Sequence, residues 1–303
     1  MGGGSLGSDS ERRLAEKVAR LRGMLGQFPG ALVAFSGGVD STFLLHECRQ
    51  ILGEHVLAVT ASSPIHPEEE VERARRLAQE TGVAHLVLAT SELDLPGFCS
   101  NPADRCYLCK RALLGLLWEV ARSRGIPCVL EGSNASDRAE YRPGLRAVAE
   151  TGARSPLQEA GLTKGEIREL SRRAGLPTWD LPPMACLATR FPYGTPITPA
   201  ALAAVAGAER ALRGMGFGLV RVRYHGTVAR IEVPGEEMGV LLARRDQVVQ
   251  AVKAAGFPYV ALDLQGYRTG SMDEVLARGQ PGYPGGEASC RHEEGGGAWT
   301  GRR

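Results

Sequence analysis

Two groups of residues in this chain have types and spacings that could do chemistry. The first is the stretch LVAFSGGVDSTFLL, residues 32–45. An apolar run stops at Ser36-Gly37-Gly38, and a second apolar stretch begins behind Asp40-Ser41-Thr42. A glycine-rich turn between a strand and a helix presents backbone N–H groups to a helix N-terminus, where they and the helix dipole favour an anion such as phosphate. Gly37 and Gly38 allow close approach, and Ser36, Ser41 and Thr42 add hydroxyl donors. The stretch is neither the lysine-containing GxxxxGKS/T loop nor the spaced-glycine GxGxxG loop. The plainer alternative is a tight turn with Asp40 or Ser41 capping a helix.

The second group is made of cysteines. Cys106 and Cys109 stand three apart in NPADRCYLCKRALL, residues 101–114, at the expected start of a helix and flanked by Arg105, Lys110 and Arg111. Cationic neighbours and a helix N-terminus both favour thiolate. Cys186 lies in PPMACLATRFPYGTPIT, residues 182–198, a proline-rich stretch that also carries Arg190. Core packing explains a cysteine there poorly. Zinc is one reading of these thiols, but structural zinc takes four ligands and no second CxxC or HxxxH is present; Cys99 is near enough to be a fourth. Of the seven cysteines, Cys48 falls mid-helix and Cys128 in a strand, both as core thiols, and Cys290 lies in the C-terminal tail.

The elements that must position these groups follow from periodicity. ALVAF (31–35), HVLAVTA (55–61), AHLVLAT (84–90) and PCVLEG (127–132) are near-continuously apolar, as strands buried on both faces are. Residues 67–82 and 106–125 have helical patterns, the first with Val71, Ala74, Leu77 and Ala78 on one face. Thr163 with Glu166 forms a capping box that opens another helix. Strand–helix alternation implies a doubly wound parallel sheet with right-handed crossovers. Ligands bind such sheets at the strands' carboxyl ends. There the stretch at 131–150 offers Asp137, Arg138, Arg142 and Arg146. After about residue 176 the pattern changes to a proline-rich linker and then to a small α+β domain: a helix at 198–214, a strand pair within 219–233, a helix at 236–255 and a strand at 259–264. Arg221 and Arg223 alternate with Val220 and Val222, which puts both arginines on one strand face. The expected divisions are a disordered tail at 1–10, an α/β domain at 11–180, a linker at 181–197, a small α+β domain at 198–268 and a disordered tail at 269–303.

The 303 residues include 36 basic and 34 acidic ones, with 43% hydrophobic and 6% aromatic side chains. A near-zero balance argues against a protein built to coat nucleic acid. No run reaches the roughly 18 apolar residues of a membrane helix, and the first residues lack a signal-peptide core. A cytoplasmic location is expected, and the cysteines there are thiols, metal ligands or catalytic groups rather than disulfides.

SGGVDS resembles the pyrophosphate loop of the PP-loop ATP pyrophosphatases, a Rossmann-like superfamily that cleaves ATP between the α- and β-phosphates and transfers AMP to a substrate oxygen. With RCYLCK, ACLATR and RVRYHG in this order, residues 14–266 resemble the ATP-dependent sacrificial sulfur transferase family known as LarE, which inserts sulfur during synthesis of the nickel-pincer nucleotide cofactor of lactate racemase. The resemblance implies ATP and Mg2+ as cofactors, a pyridinium dicarboxylate mononucleotide as substrate, and conversion of an adenylated carboxylate to a thiocarboxylate. Ser36, Gly37, Gly38, Asp40 and Ser41 would hold ATP. Asp137, Arg142, Arg146, Arg190, Arg221 and Arg223 would hold substrate or phosphate, and Glu209 would lie near a metal. Some members give up the sulfur of one cysteine matching Cys186. Others hold a 4Fe–4S cluster on three cysteines, with sulfide on the fourth iron. Cys106, Cys109 and Cys186 resemble the cluster type, which implies a sulfide donor; a homo-oligomer is expected. Two rival readings are a transfer-RNA thiolase of the same superfamily and a non-enzymatic nucleotide-binding module with structural zinc.

Overall fold

The computed structural model describes residues 5–139 and 144–274. Four short strands, β1 (Ala31–Ala34), β2 (Val56–Ser62), β3 (Ala84–Ala89) and β4 (Val129–Leu130), form a parallel sheet in the order β3-β2-β1-β4. Their side chains alternate between two cores, as period two requires. Ala31 and Val33 face a core shared with α1 (Ser5–Leu25), α2 (Val39–Leu52) and α3 (Glu68–Glu80), while Leu32 faces one shared with α4 (Arg105–Ser123) and α5 (Gly144–Thr151). Helices on both faces make the sheet doubly wound, as the sequence pattern implied. Helix α1 begins at Ser5, inside the segment expected to be a tail; Leu14, Leu21 and Leu25 on it are buried in the first core.

Two helices close the first unit, α6 (Pro156–Glu159) and α7 (Lys164–Arg173). The Thr163–Glu166 capping box is formed at the start of α7. The small domain comprises α8 (Pro199–Gly214), the hairpin β5 (Arg221–His225) and β6 (Val228–Glu232), α9 (Met238–Ala243), α10 (Arg245–Ala254) and β7 (Tyr259–Leu262). Its sheet order is β5-β6-β7, with β5–β6 antiparallel and β6–β7 parallel. The single helix expected at 236–255 is instead two helices that break at Arg244, whose guanidinium donates to the Met215 carbonyl at 2.6 Å.

The proline-rich linker does more than connect. Leu187, Ala188, Phe191 and Ile197 are buried in the small domain's core together with Ile65 and Phe98 from the first unit. One apolar cluster therefore spans the junction and fixes the linker in place. No helix among the described residues is long and apolar enough to cross a membrane.

Candidate active site

The glycine-rich turn leaves β1 and enters α2 with Gly38 at the N-cap position, and no side chain caps the helix. The helix-cap role open to Asp40 and Ser41 is therefore not the one adopted. Gly37 has φ +68°, and a Cβ there would stand 3.1 Å from the Ala74 Cα and 3.2 Å from its Cβ and N. Both the left-handed backbone and the approach of α3 require glycine. Ser36 N–H donates to the Ser41 hydroxyl at 3.3 Å, and Ser41 Oγ donates to the Gly38 carbonyl at 3.3 Å. Thr42 is fully buried and does not reach the loop surface.

Above the turn lies a cavity of about 290 Å³, lined by Ser36, Gly38, Asp40, Ser41, Asp137 and Lys164 among others. Lys164 Nζ donates to Asp40 Oδ2 at 2.5 Å. Asp137 accepts from the Asn134 N–H at 2.9 Å. Gly132 lets the chain after β4 pass close to the first turn of α2, since a Cβ on it would meet the Ser41 nitrogen at 3.2 Å. Beside the loop, a smaller cavity of about 130 Å³ is walled by Ala34, Phe35, Val59, Thr60, His66 and Val71.

A further cavity, of about 380 Å³, opens at the junction with the small domain. It is lined by Arg105, Cys106, Lys110, Arg190, Arg221, Arg223 and Arg268, with Asp273 the acidic residue of the lining. Such a surplus of cations suits a polyanion. Arg221 and Arg223 share one strand face, as their spacing implied, while Val220 and Val222 are buried in the core behind them. Arg221 Nη2 donates to the Pro183 carbonyl at 2.6 Å, and Arg223 Nη1 donates to the Thr189 carbonyl at 3.1 Å. Burial and the nearby Arg190 push the Arg221 guanidinium down to about 10.

The linker carries Cys186 toward Cys106 and Cys109. Leu187 N–H donates to the Ile65 carbonyl at 2.8 Å. Arg105 is buried and donates to the Asn101 side chain and to the Ala188 carbonyl, the latter at 3.0 Å. Asn101, at φ +55°, also donates to the Pro192 carbonyl at 2.7 Å; asparagine tolerates this backbone better than most residues. The three thiols are half-buried and sense one another's charge. The thiolate-favouring surroundings expected for Cys109 are not what the fold provides. Burial pushes its thiol well up, reinforced by Cys186, Glu92 and Cys106. The Cys186 thiol is raised by burial and by Cys106, against the pull of Arg105 and Arg190. Arg105, expected to activate a thiolate, pulls the Cys109 and Cys186 thiols down only against their stronger burial, and its hydrogen bonds go to Asn101 and to the linker's Ala188. Three half-buried thiols, with Arg105 and Arg190 close to Cys186, are chemically suited to a group that takes thiols as anions. Among the described residues no group of three or more His, Cys, Asp or Glu is placed to share a single metal ion.

Other sequence-selected residues fall in different places. Arg190 lines the cavity but is only 2% exposed, and its guanidinium grips Glu209 through two bonds of 2.8 and 3.0 Å. Its remaining nitrogen donates to the Ala185 and Cys186 carbonyls. Glu209, expected near a metal, accepts from Arg190, Arg213 and the Val222 N–H instead. Arg146 is not brought to either cavity; it is exposed, stacked over the Tyr107 ring at 3.5 Å and paired with Glu150. Arg142 lies outside the described residues, as does Cys290. Cys99 donates to the Leu93 carbonyl at 3.1 Å. Cys48 and Cys128 are core thiols, the latter pushed up to about 11 by burial.

No family model matches the chain. It is 42% identical over 267 residues to an uncharacterised protein of Synechocystis sp., covering 88% of this chain and 100% of that protein. It is 39% identical over 268 residues to the pyridinium-3,5-bisthiocarboxylic acid mononucleotide synthase of Lactiplantibacillus plantarum, covering 88% of this chain and 97% of that enzyme. The chain belongs to the LarE family. A more distant likeness, 31% over 155 residues, joins it to the ammonia-dependent NAD+ synthetase of Hyperthermus butylicus, over 49% of this chain and 55% of that enzyme. Together with the parallel sheet, this sets the LarE fold among the PP-loop ATP pyrophosphatases. The sequence reading of this LarE member missed three residues of the site. Glu131 and Gly132 sit inside a stretch singled out for its position, and Lys110 was noted only as a neighbour of Cys109. A carboxylate directly after a parallel strand, beside a glycine, was the available signal.

Proposed function

We propose that this protein uses ATP to adenylate a carboxylate of a pyridinium dicarboxylate mononucleotide and then converts it to a thiocarboxylate. The observation that carries the reading is that the phosphate-loop cavity and the cation-lined cavity share a wall, formed by Lys110, Ser133, Pro183 and Met184. ATP in one and an anionic substrate in the other would meet there. Likeness to the mononucleotide synthase favours a small nucleotide over transfer RNA.

The turn at Ser36–Ser41 holds the departing pyrophosphate with its N–H groups and hydroxyls. The small apolar cavity beside it takes the adenine. Mg2+ arrives with the triphosphate and draws most of its ligands from phosphate and water, as is usual for that ion. Arg221 and Arg223 receive the substrate's phosphate or free carboxylate. A carboxylate oxygen attacks the α-phosphorus, pyrophosphate leaves, and a sulfur nucleophile displaces AMP from the acyl carbon. Cys106, Cys109 and Cys186 would hold a 4Fe–4S cluster, which supplies a sulfide as the sulfur source. Arg105 and Arg190 hold the Cys186 segment and offset negative charge there.

The test is an anaerobic assay with ATP, magnesium, sulfide and the dicarboxylated mononucleotide. AMP, pyrophosphate and a thiocarboxylate product are expected. Steady ADP formation overturns the reading.

A further inference from the structure

The adenylation step brings two anions into bonding contact, so their repulsion is part of its barrier. Of the four residues that line both cavities, Lys110 alone is charged. Its Nζ lies 2.6 Å from Glu131 Oε2 and 3.4 Å from Ser133 Oγ. Glu131 is itself fixed: Oε1 accepts from the Ser133 N–H at 3.1 Å and from the Ser155 hydroxyl, and Oε2 also accepts from Ser133 Oγ at 2.8 Å. An ammonium has three N–H donors. Two are directed at Glu131 and Ser133, which leaves one for an incoming anion. The side chain of Lys110 is 27% exposed and that of Glu131 7%, so the carboxylate is a buried mount and the ammonium its accessible tip. The other cations do not occupy this place. Lys164 lines only the loop cavity, where it is tied to Asp40, and Arg221 and Arg223 line only the other.

We infer that Lys110 is a catalytic residue of adenylation, its free N–H donated to a non-bridging oxygen of the α-phosphate and its charge set beside the attacking carboxylate, and that Glu131 is the positioning residue that holds it there. The inference rests on the reaction proposed above. In that step a carboxylate oxygen bonds to the α-phosphorus. The bond from that phosphorus to the oxygen leading to the β-phosphate breaks, and its electron pair leaves with pyrophosphate. No proton is transferred. Negative charge passes from the carboxylate across the phosphorus to the leaving group, and a cation fixed between the two binds this distribution better than the separated reactants.

The experiment measures single-turnover release of pyrophosphate, with formation of the acyl adenylate, by the anaerobic protein without sulfide, using ATP and the dicarboxylated mononucleotide. Binding of α,β-methylene-ATP is measured alongside. Lys110→Met is expected to slow adenylation about 10²–10³-fold, the scale of losing one preorganised electrostatic group, while the analogue still binds. Lys110→Arg should recover part of the rate. Glu131→Gln should lower the rate without raising the ATP concentration needed for half the maximal single-turnover rate, because it frees the ammonium without removing its charge. A Lys110→Met rate within about threefold of the parent overturns the inference. Loss of analogue binding in step with the rate does so too, since Lys110 would then serve the ground state. If the parent itself releases no pyrophosphate, the reaction reading fails. If the parent releases pyrophosphate and Lys110→Met does so equally well, only the inference fails.

Discussion

Gly37 offers a sharp check on the loop, because a neighbouring glycine provides its control. In Gly37→Ala the new methyl meets two separate penalties. The φ of +68° places an L-residue in the left-handed region, at a cost of about 1–2 kcal/mol. The Cβ would also lie 3.1–3.2 Å from three atoms of Ala74, two of them helix backbone, which cannot rotate aside. Displacing α3 by a few tenths of an ångström adds about 1–2 kcal/mol, the lower range for overpacking. The sum, about 2–4 kcal/mol, corresponds to a fall in melting temperature of roughly 4–16 °C for a domain of this size. Gly38 has φ −86°, and its Cβ would find only the Ser36 hydroxyl at 3.4 Å and the Met184 methyl at 3.5 Å. Gly38→Ala should therefore cost less than about 1 kcal/mol, although its methyl projects into the ATP cavity and should weaken nucleotide binding. Urea unfolding of both variants, with ATP-analogue titration, measures the two effects separately. A Gly37→Ala variant as stable as the parent, or less destabilised than Gly38→Ala, would refute this account of the loop.

Three further outcomes are expected. Glu209→Gln should destabilise by about 3–5 kcal/mol in urea unfolding, because it strands the buried Arg190 charge, whereas Arg190→Met combined with Glu209→Leu should cost less than either single change. Replacing Cys106, Cys109 or Cys186 by Ser should each remove the iron measured in anaerobically purified protein, while Cys48→Ser and Cys128→Ser should retain it. With excess sulfide the protein should turn over more than once, and intact mass afterwards should show no chain lighter by one hydrogen sulfide; dehydroalanine at position 186 after a single turnover would assign the sulfur to Cys186 instead.

The fold was legible wherever apolar period alone sets an element. Strands β1, β2 and β4 and the face of α3 carrying Val71, Ala74, Leu77 and Ala78 are strings of buried residues, and burial is what periodicity reports; β3, expected to be buried on both faces, lies at the sheet edge and buries only Leu88. The Thr163–Glu166 box was legible because its two hydrogen bonds are local. The site was legible where function requires a backbone shape, as at Gly37 and Gly38. It was opaque where a residue's role depends on a partner far along the chain. Arg190 and Glu209 read as ligand-binding groups, since an arginine in a linker gives no sign that a carboxylate nineteen residues on will use its guanidinium. Arg105 read as an activator of thiolates because its sequence neighbours are cysteines, yet its hydrogen bonds run to Asn101 and Ala188. Arg146 read as a site residue from its stretch, but α5 turns it toward Tyr107 and solvent.

The misplaced arginines nonetheless explain why the cysteines lie where they do. A proline-rich linker has little regular backbone bonding of its own, so its course must be set by side chains from outside. Arg190 ties the carbonyls of Ala185 and Cys186 to Glu209 on α8. Arg105 ties Ala188 to α4, the helix that carries Cys106 and Cys109. Arg221 and Arg223 tie Pro183 and Thr189 to β5. Four cations, one from α4, two from β5 and one from the linker itself, thus converge on seven linker residues, 183–189, with Cys186 at their centre. Their charges also offset the repulsion among thiolate, phosphate and carboxylate gathered in one place. Neutral donors could have fixed the same backbone. A cation both fixes it and lowers the energy of every anion the proposed reaction gathers there, which is a physical reason for arginine at each of the four positions.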